Sequence, residues 1–541
     1  MAHTYDAENF RVLFEREVTW LNGFMRNVSR YGKKRALACA ESGKTWTYGE
    51  LNEEADRLAN AFLADGVKKS DVVMFMLYNS PEFLFCYLAG HKTGAVSCPV
   101  NYRLAPMELA PLLEDSEPVI FVYDSRFSGV VAEALDASAR RPARILVCGD
   151  APDSPRSFEA YLKNAPAGTP RPTGESRIYD ETTRLYTSGS TNRSKAVPIN
   201  SINEVFSARD VIARYPLHPE DKTLNLTPWF HRGGLHVGGP TAALYVGCEV
   251  VSMREFRPRE ALELIASRGV AHITGVPSVF RALARAQKDS PADLSALRGL
   301  CSMGSPFSRA EILEYRELFT PNILNGYGTT ETFVNTWLSA RAPIEKCQAT
   351  GRPGEDDDAR LVRIVRDGFA DPDDLVTRDN ASVGEIIVKA PCKSTGCYAN
   401  NPEMTAKKFY RDFHYTGDIG VWDEDGYITV LSRKDDMIIS AGENIYPSQI
   451  EAVLNEHPKI AECAVIGTPD KARGEIPLAF VVPLDESLTI AELKEWLTGQ
   501  PTLAAYKRPR KYKFAKSLPR TATGKIKRFE LRKQATGGEP V

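Results

Sequence analysis

Short apolar runs alternate with segments of helical periodicity along residues 47–147. Thr47-Tyr48-Gly49-Glu50 has the composition of a capping box. Behind it Leu51, Ala55, Leu58 and Phe62 fall on one helical face, and Gly66 offers a stop. Residues 72–77 form a continuous apolar run of strand length. Ser80-Pro81 opens a second helix, expected to end near Gly90. Strands at 96–100, 119–123 and 145–147 then alternate with helices at 106–115 and 130–135. Apolar strands of this length between helices predict a parallel sheet covered on both faces. Residues 151–175, rich in Pro, Gly, Ser and Ala, read as a surface connection. Beyond them come strands at 223–226, 249–251 and 272–274, with helices at 258–268 and 277–286.

From Gly384 the texture changes. Short β runs at 385–388, 427–431 and 437–440 are separated by turns. A helix at 447–455, strands at 461–466 and 479–482 and a helix at 490–497 follow. Ser432-Arg433-Lys434-Asp435-Asp436 is a polar break between two apolar strands and the expected domain boundary. The fold class is therefore α/β. Residues 1–434 form a large N-terminal domain of parallel-sheet α/β layers, and residues 435–541 a small C-terminal α+β domain.

The chain of 541 residues is ample for a large buried core. A formal charge of -2 argues against a general nucleic-acid or membrane-surface binder. No apolar run approaches the ~20 residues of a membrane span. The polar, acidic residues 1–11 do not read as a signal peptide, and Gly538-Glu539-Pro540-Val541 carries no peroxisomal or retention address. The ten cysteines are scattered, and the closest pair, Cys392 and Cys397, has no histidine cluster beside it. They read as reduced thiols of a cytoplasmic protein, without zinc or a disulfide framework.

The chemistry concentrates first at residues 186–197, Tyr-Thr-Ser-Gly-Ser-Thr-Asn-Arg-Ser-Lys-Ala-Val. Thr187, Ser188, Ser190 and Thr191 supply hydroxyl donors for phosphate oxygens. Gly189 lets the backbone approach, and Lys195 is a mobile point charge. The spacing is not that of a Walker A loop. This stretch resembles the phosphate-binding loop of the adenylate-forming superfamily: acyl-CoA synthetases, aryl-CoA ligases, nonribosomal-peptide adenylation domains and luciferases. It departs at Asn192, Ser194 and Ala196, where the family has Gly, Pro and Gly. Asn tolerates a left-handed backbone best among non-glycine residues. The other two changes bear on the rate of pyrophosphate formation.

Further elements follow in the family's order. Thr227-Pro228-Trp229-Phe230-His231 is similar to its Pro-x-Phe-His element, whose aromatic residue borders the acyl pocket. Gly233 and Gly234 then remove side-chain volume, which implies a roomy pocket or one open to a flat ring. Cys301-Ser302-Met303-Gly304-Ser305-Pro306 loosely matches Ser-Gly-Gly-Ala-Pro, where small residues pass between adenine and the carboxylate. Asn325-Gly326-Tyr327-Gly328-Thr329-Thr330-Glu331 looks like Tyr-Gly-x-Thr-Glu. There Tyr327 would face adenine, Thr330 would donate to the α-phosphate and Glu331 would hold Mg²⁺. In Tyr415-Thr416-Gly417-Asp418, Asp418 would accept from the ribose hydroxyls. Arg433 would meet ribose or phosphate, and Asp435 aligns with the family's hinge. Ser440, Ala441 and Gly442 would line the tunnel for coenzyme A. Pro519-Arg520-Thr521-Ala522-Thr523-Gly524-Lys525 matches the family's adenylation-lysine motif.

The resemblance covers essentially the whole chain and is nearest to the aryl-CoA ligases. It implies a ligase using ATP, Mg²⁺ and coenzyme A. A carboxylate would first form acyl-AMP with release of pyrophosphate, the C-terminal domain would turn about Asp435, and CoA would then displace AMP. It further implies catalytic roles for Lys525, Thr330, Glu331 and His231. An acyl pocket would be bordered by Trp229, His231, Gly233, Gly234, Met303, Gly328 and Phe333. An aromatic or alicyclic acid fits the two glycines. The alternatives are a medium-chain fatty acid, an adenylation enzyme loading a carrier protein, a luciferase-like oxidation and a silent nucleotide binder. No nucleic-acid partner is implied, and a homodimer is a family expectation.

Overall fold

The computed structural model describes residues 6–149, 153–172, 174–187, 194–365, 368–500, 503–520 and 526–535. The chain divides into two compact units. One comprises Met1–Asp358 with Lys389–His414, the other Ala359–Val388 with Tyr415–Val541.

In the first unit the alternating pattern forms a six-stranded sheet. Its order is Arg144–Cys148, Ile120–Asp124, Val72–Met76, Val96–Pro99, Glu181–Thr187, Lys195–Asn200. All pairs are parallel except the last, an antiparallel hairpin. Every residue of Val72–Met76 is buried, as a strand covered on both faces requires. The helix Tyr48–Ala64 starts at a reciprocal Thr47–Glu50 capping box and buries Leu51, Ala55, Leu58 and Phe62 completely.

Two expectations are corrected here. The helix Pro81–Thr93 runs past Gly90 and stops at Gly94, whose φ is +73°. A Cβ on Gly90 would lie 2.3 Å from Ser97 Oγ, so that glycine admits the neighbouring strand rather than ending the helix. Within the Pro/Gly-rich connection, Ser157 caps a short helix, Phe158–Lys163, whose Phe158 is buried. The sequence pattern also left residues 7–31 unassigned. They form the helices Ala7–Glu17 and Trp20–Tyr31, the second anchored by a 3.0 Å bond from Trp20 Nε1 to the Thr241 carbonyl.

The same unit holds a nine-stranded sheet. Its order is Arg352–Pro353, Phe333–Leu338, Ile323–Thr329, Gly299–Met303, His272–Gly275, Lys222–Asn225, Glu249–Ser252, Arg35–Cys39, Thr45–Thr47. From Ile323–Thr329 to Arg35–Cys39 it is parallel, and antiparallel strands close both edges.

A buried polar cluster lies within this unit. Glu204 accepts from Tyr87 Oη, from Thr183 Oγ1 at 2.7 Å and from His91 Nε2 at 2.9 Å, with His236 Nε2 at 4.0 Å. Burial pushes the His236 pKa down to about 3, and the Arg232 charge adds to the shift. Burial would raise Glu204, but the charges and bonds of His91, His236 and Tyr87 outweigh it and hold the carboxyl at about 2. Both groups take up protons more readily when unfolded. Stability is therefore full above the ordinary imidazole value of ~6.5 and falls as the pH drops from there toward 3. Urea-unfolding midpoints are expected to fall between pH 7 and pH 5, and less steeply in His236→Gln. An equal fall in both proteins would exclude His236 as the source.

The second unit places Gly384–Lys389, Phe413–Trp422 and Ile428–Arg433 in one sheet. A second sheet has the order Glu443–Ile445, Ile438–Ser440, Gly474–Pro483, Ile460–Asp470, and Lys511–Phe514 pairs parallel with Gly474–Pro483. The helices Pro447–Asn455 and Ile490–Thr498 bury Ile450, Leu454, Leu493 and Leu497 against it. Ala441 and Gly442 form the two-residue turn between Ile438–Ser440 and Glu443–Ile445, at φ +52° and +87°. Alanine in that region carries a steric penalty that glycine lacks. Ala441→Gly is expected to stabilise this unit by about 1 kcal/mol, read as a raised urea midpoint. An unchanged midpoint would refute the strain.

Candidate active site

Three candidate motifs leave the carboxyl ends of parallel strands in one sheet. His231 follows Lys222–Asn225, Gly304 follows Gly299–Met303, and Thr330–Glu331 follows Ile323–Thr329. In open α/β sheets that end is where ligands bind.

The turn before His231 is tied on both sides. Asn79 Oδ1 accepts from the Trp229 amide at 2.8 Å, Asn79 Nδ2 donates to the Thr227 carbonyl at 3.0 Å, and Asn225 Oδ1 accepts from the Thr227 amide at 2.9 Å. Trp229 is turned into the core, its ring edge-on to Phe83 at 5.5 Å. Phe230 lies edge-on to Tyr102 at 5.1 Å, and its ring is 4.2 Å from that of His231, which begins the short helix Arg232–His236. The two glycines differ. A Cβ on Gly233 would meet nothing within 4 Å, as a volume-sparing role requires. A Cβ on Gly234 would lie 1.9 Å from the Pro228 carbonyl oxygen. Gly234 is thus demanded by backbone packing and not by pocket volume, which corrects the sequence argument for that residue.

The Tyr327–Glu331 segment is equally constrained. Met303 Sδ would lie 2.8 Å from a Cβ on Gly326, and the Phe333 carbonyl oxygen 1.6 Å from one on Gly328. Phe333 has φ +66°, a strained value for a bulky residue, and the strand pairing shifts register between Tyr327 and Gly328. Thr332 holds the turn between: its amide donates to Thr329 Oγ1 at 3.3 Å and its hydroxyl to Asn335 Oδ1 at 2.6 Å. Asn325 is buried, Tyr327 and Gly328 are half-buried, and Gly304, Ser305 and Pro306 are exposed.

Tyr398 donates to Glu331 Oε1 at 2.7 Å, and Lys195 Nζ stands 5.4 Å from the centre of the Tyr398 ring. Burial raises the Glu331 pKa, but His414, the Tyr398 hydroxyl and Lys195 outweigh it and hold the carboxyl below the usual range. It stays ionised at neutral pH. Lys195 pairs across the hairpin with Thr187 and so closes the stem of the phosphate loop. Ser188, Gly189, Ser190, Thr191 and Asn192 lie outside the described residues, as does Lys525.

Sequence reasoning missed the frame around this cluster. Lys393 Nζ is buried between Asp357 Oδ2 at 2.6 Å and Asp210 Oδ2 at 2.9 Å, and it donates to the Val334 carbonyl at 2.7 Å. Asn203 Nδ2 holds the Cys392 carbonyl at 3.1 Å, Thr395 Oγ1 the Pro198 carbonyl at 3.0 Å, and the Ala399 amide the Ala196 carbonyl at 2.9 Å. Residues 392–399 thereby strap the phosphate hairpin beside Glu331. No local signal marks them, because each partner is remote in the chain.

In the second unit Asp418 and Arg433 are paired by strand register and by a 3.3 Å ion pair, and Arg433 Nη2 donates to the Thr416 carbonyl at 3.0 Å. Arg433 thus has partners in the protein besides the expected nucleotide. Asp435 stands in the one-turn helix Lys434–Asp436, its carbonyl accepting from Arg532 at 3.1 Å. Ser440 is buried, and Ala441 and Gly442 are exposed. Among the described residues no group of three or more His, Cys, Asp or Glu could hold a metal, and no helix is long and apolar enough to cross a membrane.

A family model for AMP-binding enzymes matches residues 24–398, and one for the AMP-binding enzyme C-terminal domain matches residues 449–525. The chain is 33% identical over 503 residues to a feruloyl-CoA synthase of an Amycolatopsis species, covering 92% of this chain and 96% of that protein. It is 32% identical over 491 residues to an indoleacetate–CoA ligase of Aromatoleum aromaticum, covering 90% and 92%. A solved anthranilate CoA ligase, AuaEII in complex with anthranoyl-AMP, matches with a TM-score of 0.86 at 26% identity, covering 96% of this chain and 97% of that one. The chain belongs to the AMP-binding enzyme family. Within that family it is an AMP-forming acid–CoA ligase, with ATP and coenzyme A as its co-substrates.

Proposed function

We propose that the acid is aromatic or alicyclic, and that Lys525, Thr330 and Glu331 carry its adenylation. One observation supports the role of Glu331 most directly: its ionised carboxylate is fixed by Tyr398 in the same cluster as Lys195. Such a carboxylate suits Mg²⁺, which takes one or two carboxylates together with phosphate oxygens and water. Bound there, Mg²⁺ would offset charge on the phosphates.

The acid's carboxylate oxygen attacks the α-phosphorus of ATP and pyrophosphate leaves. Thr330 donates to the α-phosphate, and Lys525 bridges the two anions as they meet. Thr187, Ser188, Gly189, Ser190, Thr191 and Lys195 hold the outgoing phosphates. Asn325, Gly326, Tyr327 and Gly328, with Gly304, Ser305 and Pro306, take the adenine, while Asp418 and Arg433 take the ribose. The CoA sulfur then attacks the acyl carbon and AMP leaves. Between the steps residues 435–541 turn about Asp435, and Ser440, Ala441 and Gly442 line the thiol's path. These roles rest on the family resemblance. His231, Met303, Phe333 and the open space at Gly233 border the acyl group. Feruloyl, indoleacetyl and anthraniloyl groups in the names of similar proteins support a flat ring. Ten free thiols, eight of them buried, support a reducing compartment and hence the cytoplasm.

The test is CoA-dependent AMP release across benzoates, arylacetates, cinnamates, fused-ring acids, cyclohexane carboxylates and fatty acids. An aryl or alicyclic acid is expected to give the highest kcat/KM. A fatty acid giving the highest value would overturn the substrate class. Pyrophosphate exchange without CoA-dependent turnover would point to a carrier protein as acceptor.

A further inference from the structure

We infer that Arg232 is a positioning residue for adenylation, its guanidinium holding the Thr330–Glu331 turn where those side chains meet the triphosphate. The inference rests on the assignment of Glu331 to Mg²⁺.

Arg232 follows His231 at the start of the short helix Arg232–His236 and is only 3% exposed. Its Nη1 donates to the Thr330 carbonyl at 2.5 Å, and its Nη2 donates to the Lys393 carbonyl. The guanidinium lies 5.3 Å from the centre of the Phe333 ring. One planar fork therefore joins the segment bordering the acyl group, the turn bearing the metal carboxylate, and the strap bearing Tyr398. The far end of that link is itself fixed, because Lys393 is locked between Asp210 and Asp357.

The turn needs such a hold. Phe333 is in a left-handed conformation, and Gly328 faces the Phe333 carbonyl too closely for any side chain. A strained segment keeps its geometry only when its surroundings over-determine it. Burial lowers the Arg232 pKa to about 9, against the pull of Glu331, Glu204 and Asp357, so the guanidinium remains charged at neutral pH. A lysine offers a point charge and cannot span two carbonyls as a rigid fork. Arg232 touches Thr330 through its backbone, so it acts on the reacting groups indirectly.

The experiment uses the full chain, the acid turned over fastest in the panel above, and Arg232→Lys, Arg232→Gln and Glu331→Gln in parallel. Two half-reactions are read: pyrophosphate release as Mg²⁺ is varied at fixed ATP, and thioester formation from the supplied acyl-adenylate and CoA. Both Arg232 variants are expected to lose about 10–100-fold in adenylation, with a raised Mg²⁺ requirement and an unchanged second half-reaction. Lysine, which keeps the charge and one bond, is expected to lose less than glutamine. Should Glu331→Gln raise the Mg²⁺ requirement while both Arg232 variants keep that of the parent, the inference is overturned and the Glu331 assignment stands. Equal losses in both half-reactions, with a lowered unfolding midpoint, would reduce Arg232 to a packing residue. An unaltered Mg²⁺ requirement in Glu331→Gln would remove that assignment, and the inference with it.

Discussion

Lys525→Ala is expected to lower acid-dependent pyrophosphate release by about 10²–10³-fold, the range seen when one preorganised transition-state donor is removed. Attack of CoA on supplied acyl-AMP is expected to be largely retained. The two steps place different demands on the site. In the first, a carboxylate approaches a phosphorus surrounded by anionic oxygens, and an ammonium between them offsets charge that grows toward the transition state. In the second, the acyl-phosphate bond is already formed, and the thiol needs an open approach more than a cation. The measurement is a pair of single-turnover assays on one enzyme preparation: radiolabelled pyrophosphate formed from ATP and the acid, and thioester formed from acyl-AMP and CoA. Equal loss in both would remove Lys525 from its assigned role. Loss in neither would move the adenylation cation elsewhere, with Lys195 the first candidate.

Lys393→Ala is expected to cost about 3–5 kcal/mol of stability in the first unit, because it leaves buried carboxylates without their cation. Lys393 is bonded to Asp357, Asp210 and the Val334 carbonyl, and Asp357 is also held by Asn335 Nδ2 at 3.3 Å. Burial pushes the Asp357 pKa up to about 6 even with the ammonium beside it, so losing the ammonium favours its protonated form further. Urea unfolding followed by tryptophan fluorescence would report the change, since Trp337 Nε1 donates to Asp210 at 3.2 Å. Neutralising the partners as well, as Lys393→Met with Asp210→Asn and Asp357→Asn, is expected to recover much of the loss. The cost comes from unpaired charge rather than from the absence of the pair. A variant that unfolds at the parent's midpoint would refute the account. Because the Lys393 carbonyl also holds Arg232, adenylation should fall in Lys393→Ala beyond what the unfolded fraction explains.

The helix Tyr48–Ala64 and the strand Val72–Met76 were legible because their information is local: a capping box, one apolar stripe, an unbroken apolar run. Glycines were misread where their reason is a distant neighbour. Gly90 looked like a helix stop and instead admits Ser97, and Gly234 looked like pocket volume and instead lies under the Pro228 carbonyl. The helices Ala7–Glu17 and Trp20–Tyr31 do begin at side-chain caps, Asp6 and Thr19, that the sequence pattern left unread, but what they pack against is decided by remote contacts such as Trp20 with Thr241.

Residue order alone carried the resemblance to the adenylate-forming superfamily, and with it the expectation of an AMP-forming acid–CoA ligase, because each hydroxyl-rich, glycine-rich or lysine motif holds its donors, acceptors and charges within a few adjacent residues. What only the tertiary structure decided is the support of those groups. Tyr398 reaches Glu331 across 67 positions, Arg232 reaches the Lys393 carbonyl across 161, and Lys393 reaches Asp210 across 183. Side chains so far apart in the chain leave no periodicity or motif to read. Their pairing exists only once the fold has brought the turn after Ile323–Thr329, the helices Ser201–Arg214 and Arg232–His236 and the 392–399 strap together, where burial strengthens the bonds that hold a strained turn in place.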